Sequence, residues 1–145
     1  MNDIWKQFDR NELSHSGIHH LLAISDLMEK NGYVRGTDIA DYLNITRGSV
    51  SITLKKLRKK GYISEDENKF LKLSKKGQVL ITRVNENHRL VELLLSDILG
   101  VPQKIAAIDA CKIAHLISKE TCDRLADYLE YSVNLHGDKE EIAAK

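Results

Sequence analysis

Proline occurs once in this 145-residue chain, cysteine twice, tryptophan once and phenylalanine twice, and no Gly/Ser or Pro tract interrupts it. The scarcity of breakers and biased segments excludes a linker-rich or low-complexity protein. Two cysteines, Cys111 and Cys122, are too few for a disulfide framework and suit a reducing compartment. No apolar run approaches the roughly 18 residues of a membrane span. The amino terminus, MNDIWKQFDRNELSHSG, lacks a basic-then-apolar signal pattern, so a cytoplasmic protein without a membrane partner is expected. A net charge of +1 excludes a uniformly basic protein. Any surface for a polyanion must therefore be a local patch. The length allows one core with a helical appendage, but hardly two full independent domains.

Charge is concentrated in one place. Val34 to Lys60, VRGTDIADYLNITRGSVSITLKKLRKK, reads as two short helices joined by the turn Asn44-Ile45-Thr46. Thr37 is a natural N-cap for the first, with Ile39, Ala40 and Leu43 as its apolar face, and Thr46 caps the second, whose Val50, Leu54 and Leu57 turn inward. Gly61 ends it. Arg47, Lys55, Lys56, Arg58, Lys59 and Lys60 are all basic, and no acid interrupts the run from Thr46 to Gly61. The reading is a helix-turn-helix whose second helix enters the major groove of duplex DNA. Arg47, Ser49 and Ser51 then face bases, Lys55, Lys56 and Lys59 face phosphates, and Thr37, Thr46 and Thr53 complete the candidate DNA-contacting set.

Upstream, Ser14 or Ser16 can cap a helix carrying Ile18, Leu21, Leu22, Ile24, Leu27 and Met28, broken by Asn31-Gly32. Downstream, YISEDENKFLKL reads as a two-stranded wing with an acidic tip, which makes Lys69 and Lys72 its better backbone contacts. Ser74 then opens a helix of about 25 residues with Val79, Leu80, Val84, Leu90, Leu93, Leu94 and Ile98 as its apolar face, ended by Gly100 and Pro102. A further helix is expected through Ile117, and a last one from Ser118 to about Tyr131. The expected fold is mainly α with a small β-wing: a winged helix-turn-helix over 1–73 and a helical domain over 74–145.

Histidine and cysteine placement is the second signal. His15 and His19, His88 and Glu92, and Cys111 and His115 are pairs four residues apart, each on one helical face. Nitrogen, oxygen and sulfur donors from three helices can converge on one metal ion in a bundle. Cys111 and His115 also resemble a nucleophile and its base, but no orienting group or oxyanion donor accompanies them, so no enzymatic activity and no small organic substrate are expected.

Together these blocks resemble the diphtheria-toxin-repressor family of metal-dependent regulators, which includes the manganese transport regulators. The likeness rests on GYVRGTDIADYLNITRGSVSITLKKLRKKGYI, on LSKKG, on HRLVELLLSDILGV and on CKIAHLIS, and covers roughly His15 to Tyr131. It implies a homodimeric repressor of the short, two-domain form, bound to a palindromic operator when a divalent metal sits between the N-terminal helix and the dimerisation helices. By position it assigns His19, His88, Cys111 and His115 as metal ligands, with Glu92 matching a glutamate of an ancillary site. Ala114 and Leu22 stand where relatives carry carboxylates, and Ala106-Ala107 occupy the region of an ancillary histidine. The remaining donors are rich in nitrogen and sulfur. They favour a single site for Zn²⁺, Fe²⁺ or Co²⁺, with Mn²⁺ implied only by the family. The competing expectation is a winged-helix regulator whose metal site is vestigial and which acts without metal or responds through the Cys111 thiol.

Overall fold

Ser14 decides where the first described helix begins. In the computed structural model, which describes Asp3 and residues 13–143 with side chains to Ser132, its hydroxyl accepts the Gly17 N–H at 3.1 Å and opens α1, His15–Asn31. Gly32 closes α1 in the left-handed conformation, φ 78°, its N–H donating to the Met28 carbonyl. The next two helices are α2, Gly36–Leu43, and α3, Arg47–Lys59. Thr37 is not the cap of α2. Arg35 occupies that position, and the Asp38 carboxylate reaches back to accept its N–H at 2.7 Å. The acid one turn inside the helix outcompetes the hydroxyl because it lies near the unpaired N–H groups of the first turn. Thr46 does cap α3, accepting the Ser49 N–H at 3.2 Å.

Strands β1, Ile63–Glu65, and β2, Leu71–Leu73, pair antiparallel with Ser64 opposite Lys72. Leu71 also donates to the Val34 carbonyl at 2.8 Å, which ties the wing to the segment between α1 and α2. Leu21, Ile24, Val34, Ile39, Val50, Leu57, Tyr62 and Leu71 are fully buried and form the core of this first unit.

Helix α4 runs Lys75–Leu93 and continues as five residues of π-helix, Leu94–Ile98. Ser74 precedes it, its hydroxyl accepting the Gly77 N–H at 3.1 Å and donating to the Gly61 carbonyl at 2.6 Å. The chain divides within α4 into units Met1–Arg83 and Val84–Lys145. Of the expected apolar face, Val84 and Leu90 are buried, whereas Val79 and Ile98 are exposed; Ile81 and Val91 are buried in addition. In the second unit α5 spans Gln103–Ile113 and α6 spans Lys119–Ala143. The expected helix through Ile117 is therefore cut short at Ile113, where Ala114 to Leu116 tighten into a turn with the Leu116 N–H on the Ile113 carbonyl. The last helix extends past the expected Tyr131. Leu90, Cys122 and Leu129 form a buried cluster in this unit. No described helix is long and apolar enough to cross a membrane.

Candidate functional site

Val50, Leu54 and Leu57 fix the rotation of α3 by burying one stripe. The opposite side must face out, and it carries Arg47, Ser49, Ser51, Lys55, Lys56 and Lys59, all exposed, while Thr53 is half-buried. Lys55 and Lys56 lie four and three residues before Lys59, so the three amines share one side of the helix. Thr46 is less available than its sequence position suggests, because its hydroxyl caps the helix and also donates to the Ser49 hydroxyl at 2.9 Å. Thr37 is exposed in the first turn of α2. Between α2, α3 and the wing lies a cleft of about 480 Å³ bounded by Thr37, Ser51 and four cations: Arg35, Arg47, Arg58 and Lys69.

Arg35 was not among the sequence candidates, and neither was Ile52, an apolar side chain 62 % exposed on the outward face of α3. Ile52 had a legible signal: it falls between the inward positions 50, 54 and 57. The acidic wing tip is also put to use. Glu65 accepts Arg58 at 2.8 Å and lies 3.4 Å from the Lys69 ammonium, and Asp66 closes the turn by accepting the Asn68 and Phe70 N–H groups at 2.8 and 2.9 Å. Lys69, at φ 66°, has its ammonium beside Glu65 and still exposed at the cleft. Arg35 lies over the Phe70 ring at 4.3 Å, and this contact orients its guanidinium at the cleft edge.

The donor residues fall in both units. In the first, His15 and His19 bring their rings to 4.3 Å centroid separation on one face of α1. Burial first, and then the nearby His15 and His20, hold the His19 pKa below the ordinary histidine value. A neutral imidazole at neutral pH keeps its lone pair for a ligand, because fewer protons compete for it. His20, next in sequence, points elsewhere: it is buried, and its Nδ1–H donates to the Ser16 carbonyl at 2.7 Å.

In the second unit the Glu92 carboxylate lies 3.4 Å from His88 Nδ1 and accepts an N–H of Gln103 through its other oxygen. A carboxylate on one ring nitrogen directs the other, Nε2, outward as a donor. Cys111 lies half-buried on α5, but His115 sits two residues beyond the helix end, so their alignment is set by the turn and not by helical spacing. Asn87 supplies what the spacing does not. It is buried, and its side-chain N–H donates to the Ala114 carbonyl at 3.2 Å, pinning the residue before His115 to the helix turn that carries His88. Sequence reasoning missed Asn87, although a polar residue three before Leu90 on an apolar face was visible. Replacing it with Ala leaves a buried carbonyl unpaired, at a cost of about 1–3 kcal/mol. Denaturant unfolding of Asn87→Ala should show that loss; a value within about 0.5 kcal/mol of wild type would mean that solvent replaces the bond.

Residues 12–71 match the family model described as iron dependent repressor, N-terminal DNA binding domain, and residues 74–141 match iron dependent repressor, metal binding and dimerisation domain. The chain is 33% identical over 111 residues to the HTH-type transcriptional regulator MntR of Lysinibacillus sphaericus, covering 77% of this chain and 79% of that one. It is 31% identical over 119 residues to the iron-dependent repressor IdeR of Mycobacterium tuberculosis, covering 82% of this chain but 52% of the relative, and so spans about half of that longer protein. Among solved structures, a hypothetical protein from Sulfolobus solfataricus superposes with a TM-score of 0.70 at 27% identity, covering 81% of this chain and 89% of that one.

Proposed function

The chain belongs to the iron-dependent repressor family of metal-dependent, DNA-binding transcriptional regulators, and on that premise we propose that it is a homodimeric repressor whose operator binding is controlled by a divalent transition metal. The observation that carries the reading is the pairing of an exposed cationic recognition helix with a nitrogen- and sulfur-rich donor set. The proposed ligands are His19, His88, Cys111 and His115, which fit Zn²⁺, Fe²⁺ or Co²⁺ better than Mn²⁺ because imidazole and thiolate are softer than carboxylate. IdeR is named as an iron-dependent repressor, but the donors of this chain are its own and set its preference.

When bound, the cation supplies one positive centre that donors from α1 and from residues 88–115 share. The protein's side of the coupling is preparation. Glu92 lies against His88 Nδ1, Asn87 fixes the backbone before His115, and burial favours the neutral form of His19. In this reading Glu92 acts through His88, since its two oxygens already face His88 and Gln103. If the donors converge only in the DNA-competent arrangement of the two units, metal stabilises that arrangement, and by linkage DNA tightens metal binding by the same factor.

Self-association is proposed on the exposed apolar side chains of the second unit. Ile105 and Ile108 are half-exposed one turn apart on α5, as are Tyr128 and Tyr131 on α6. A palindromic operator follows from a two-fold dimer.

The test is an anaerobic titration of metal-free protein with Co²⁺, Zn²⁺, Fe²⁺ and Mn²⁺, reading cobalt–thiolate absorption, sedimentation and binding to the DNA upstream of its own gene. Expected are a thiolate band absent from Cys111→Ser, dimers throughout, and DNA binding that appears with metal. DNA binding at full strength without metal would overturn metal control and leave the thiol-responsive alternative. Monomers in every sample would remove the dimer.

A further inference from the structure

The ring pair on α1 goes beyond the proposed ligand set. His15 and His19 lie one turn apart, their rings tilted by 52° at 4.3 Å, with a ligating nitrogen of each within 4.8 Å of the other. A tetrahedral centre with metal–nitrogen bonds of about 2.0–2.1 Å needs its nitrogens roughly 3.3 Å apart. Modest side-chain rotation closes that difference with no change of backbone, because Ser14 caps the turn and Gly17, Ile18 and Leu21 are buried beneath it.

Every other position that shares a face with His19 within one turn lacks a strong donor: Ser16 before it, and Leu22 and Ala23 after it. Ser16 also gives its carbonyl to His20. The adjacent imidazole is excluded too, since His20 is 1 % exposed and rotated into the core. His15 is the one side chain on α1 placed to bind alongside His19.

Resting on the metal-dependent reading above, we infer that His15 is a metal ligand, forming with His19 a two-imidazole clamp on α1 that selects borderline cations such as Zn²⁺ and Co²⁺ over Mn²⁺. Chelation by two nitrogens of one rigid helix turn needs little ordering at binding, and imidazole suits these cations whereas Mn²⁺ prefers carboxylate and water oxygens.

The alternative role for His15 is ring stacking on His19, and His15→Phe separates the two because it keeps an aromatic ring and removes the donor. Full-length wild type, His15→Phe, His15→Asn and His19→Asn are titrated with Co²⁺ and with Zn²⁺ against a chelator, and the cobalt ligand-field spectrum is recorded for each. Metal-free thermal unfolding of each variant shows that it folds. Both His15 variants should bind roughly 10–100-fold more weakly, at least the loss typical of an outer-shell partner, with shifted cobalt bands and a reduced preference over Mn²⁺. Wild-type affinity and spectrum in His15→Phe, with His19→Asn impaired, would overturn the clamp and leave the metal-dependent reading standing. Wild-type behaviour in all three variants and in Cys111→Ser would overturn both.

Discussion

Gly77→Ala should lower the stability of the winged unit by about 2–3 kcal/mol, a drop in Tm of roughly 8–24 °C, even though alanine is the better helix former. A Cβ built on Gly77 would lie 2.3 Å from the Tyr62 carbonyl oxygen and 3.3 Å from its carbon. What it meets is backbone, so no side-chain rotation relieves it. The carbonyl is itself fixed, because it accepts the Ser74 N–H at 2.9 Å, and the Tyr62 ring is 1 % exposed in the core. Either α4 lifts off the start of the wing or β1 shifts and disturbs Tyr62. Gly48→Ala is the control. It lies in α3 with nothing within 4 Å of its Cβ position, and the same substitution there should stabilise by about 0.5–1 kcal/mol. Thermal unfolding of the two variants checks both signs; if Gly77→Ala unfolds with or above wild type, α4 does not lie against the Tyr62 carbonyl.

The second large effect is electrostatic. Lys55, Lys56 and Lys59 share one exposed side of α3, and each phosphate that an amine neutralises contributes a slope of about −0.9 in log K against log salt. Replacing all three by Ala should reduce that slope by about 2.7 and weaken binding about a hundredfold near 0.15 M salt for each recognition helix engaged, on specific and random DNA alike. Arg47→Ala should behave differently. Removing a hydrogen bond to a base edge from the N-terminal half of the helix costs about 1–3 kcal/mol on the operator and much less on random DNA, so specificity relaxes. Fluorescence anisotropy over a salt series distinguishes the two patterns. Equal losses on both DNAs for Arg47→Ala would move Arg47 to the phosphate group, and an unchanged slope in the triple variant would take these lysines out of the interface. Arg58 is left out of the set because Glu65 already engages it at 2.8 Å.

LSKKG illustrates how far a sequence carries. The Ser74 start was legible because a hydroxyl before a helical run is a local signal. That Gly77 must be glycine was not, since the carbonyl that demands it lies fifteen residues upstream, in the bend before β1. The same division runs through the donor residues. Periodicity placed His15 with His19 and His88 with Glu92, and both pairs meet in the structure. For Cys111 and His115 the helical spacing does not apply as it stands, because the helix ends at Ile113 and His115 lies in the turn beyond it.

The order of elements, the winged helix-turn-helix, the inward stripe of α3 and the basic side opposite it were all legible before folding, because they follow from local spacing, capping and charge. The folded chain selects Asp38 rather than Thr37 at the start of α2, and packing between remote segments sets Glu65 against Arg58 and anchors the Ala114 carbonyl on Asn87. Each is a choice among several chemically able partners. Local sequence ranks their abilities, but distance in the folded chain selects among them, and distances between remote segments are set only when the core packs.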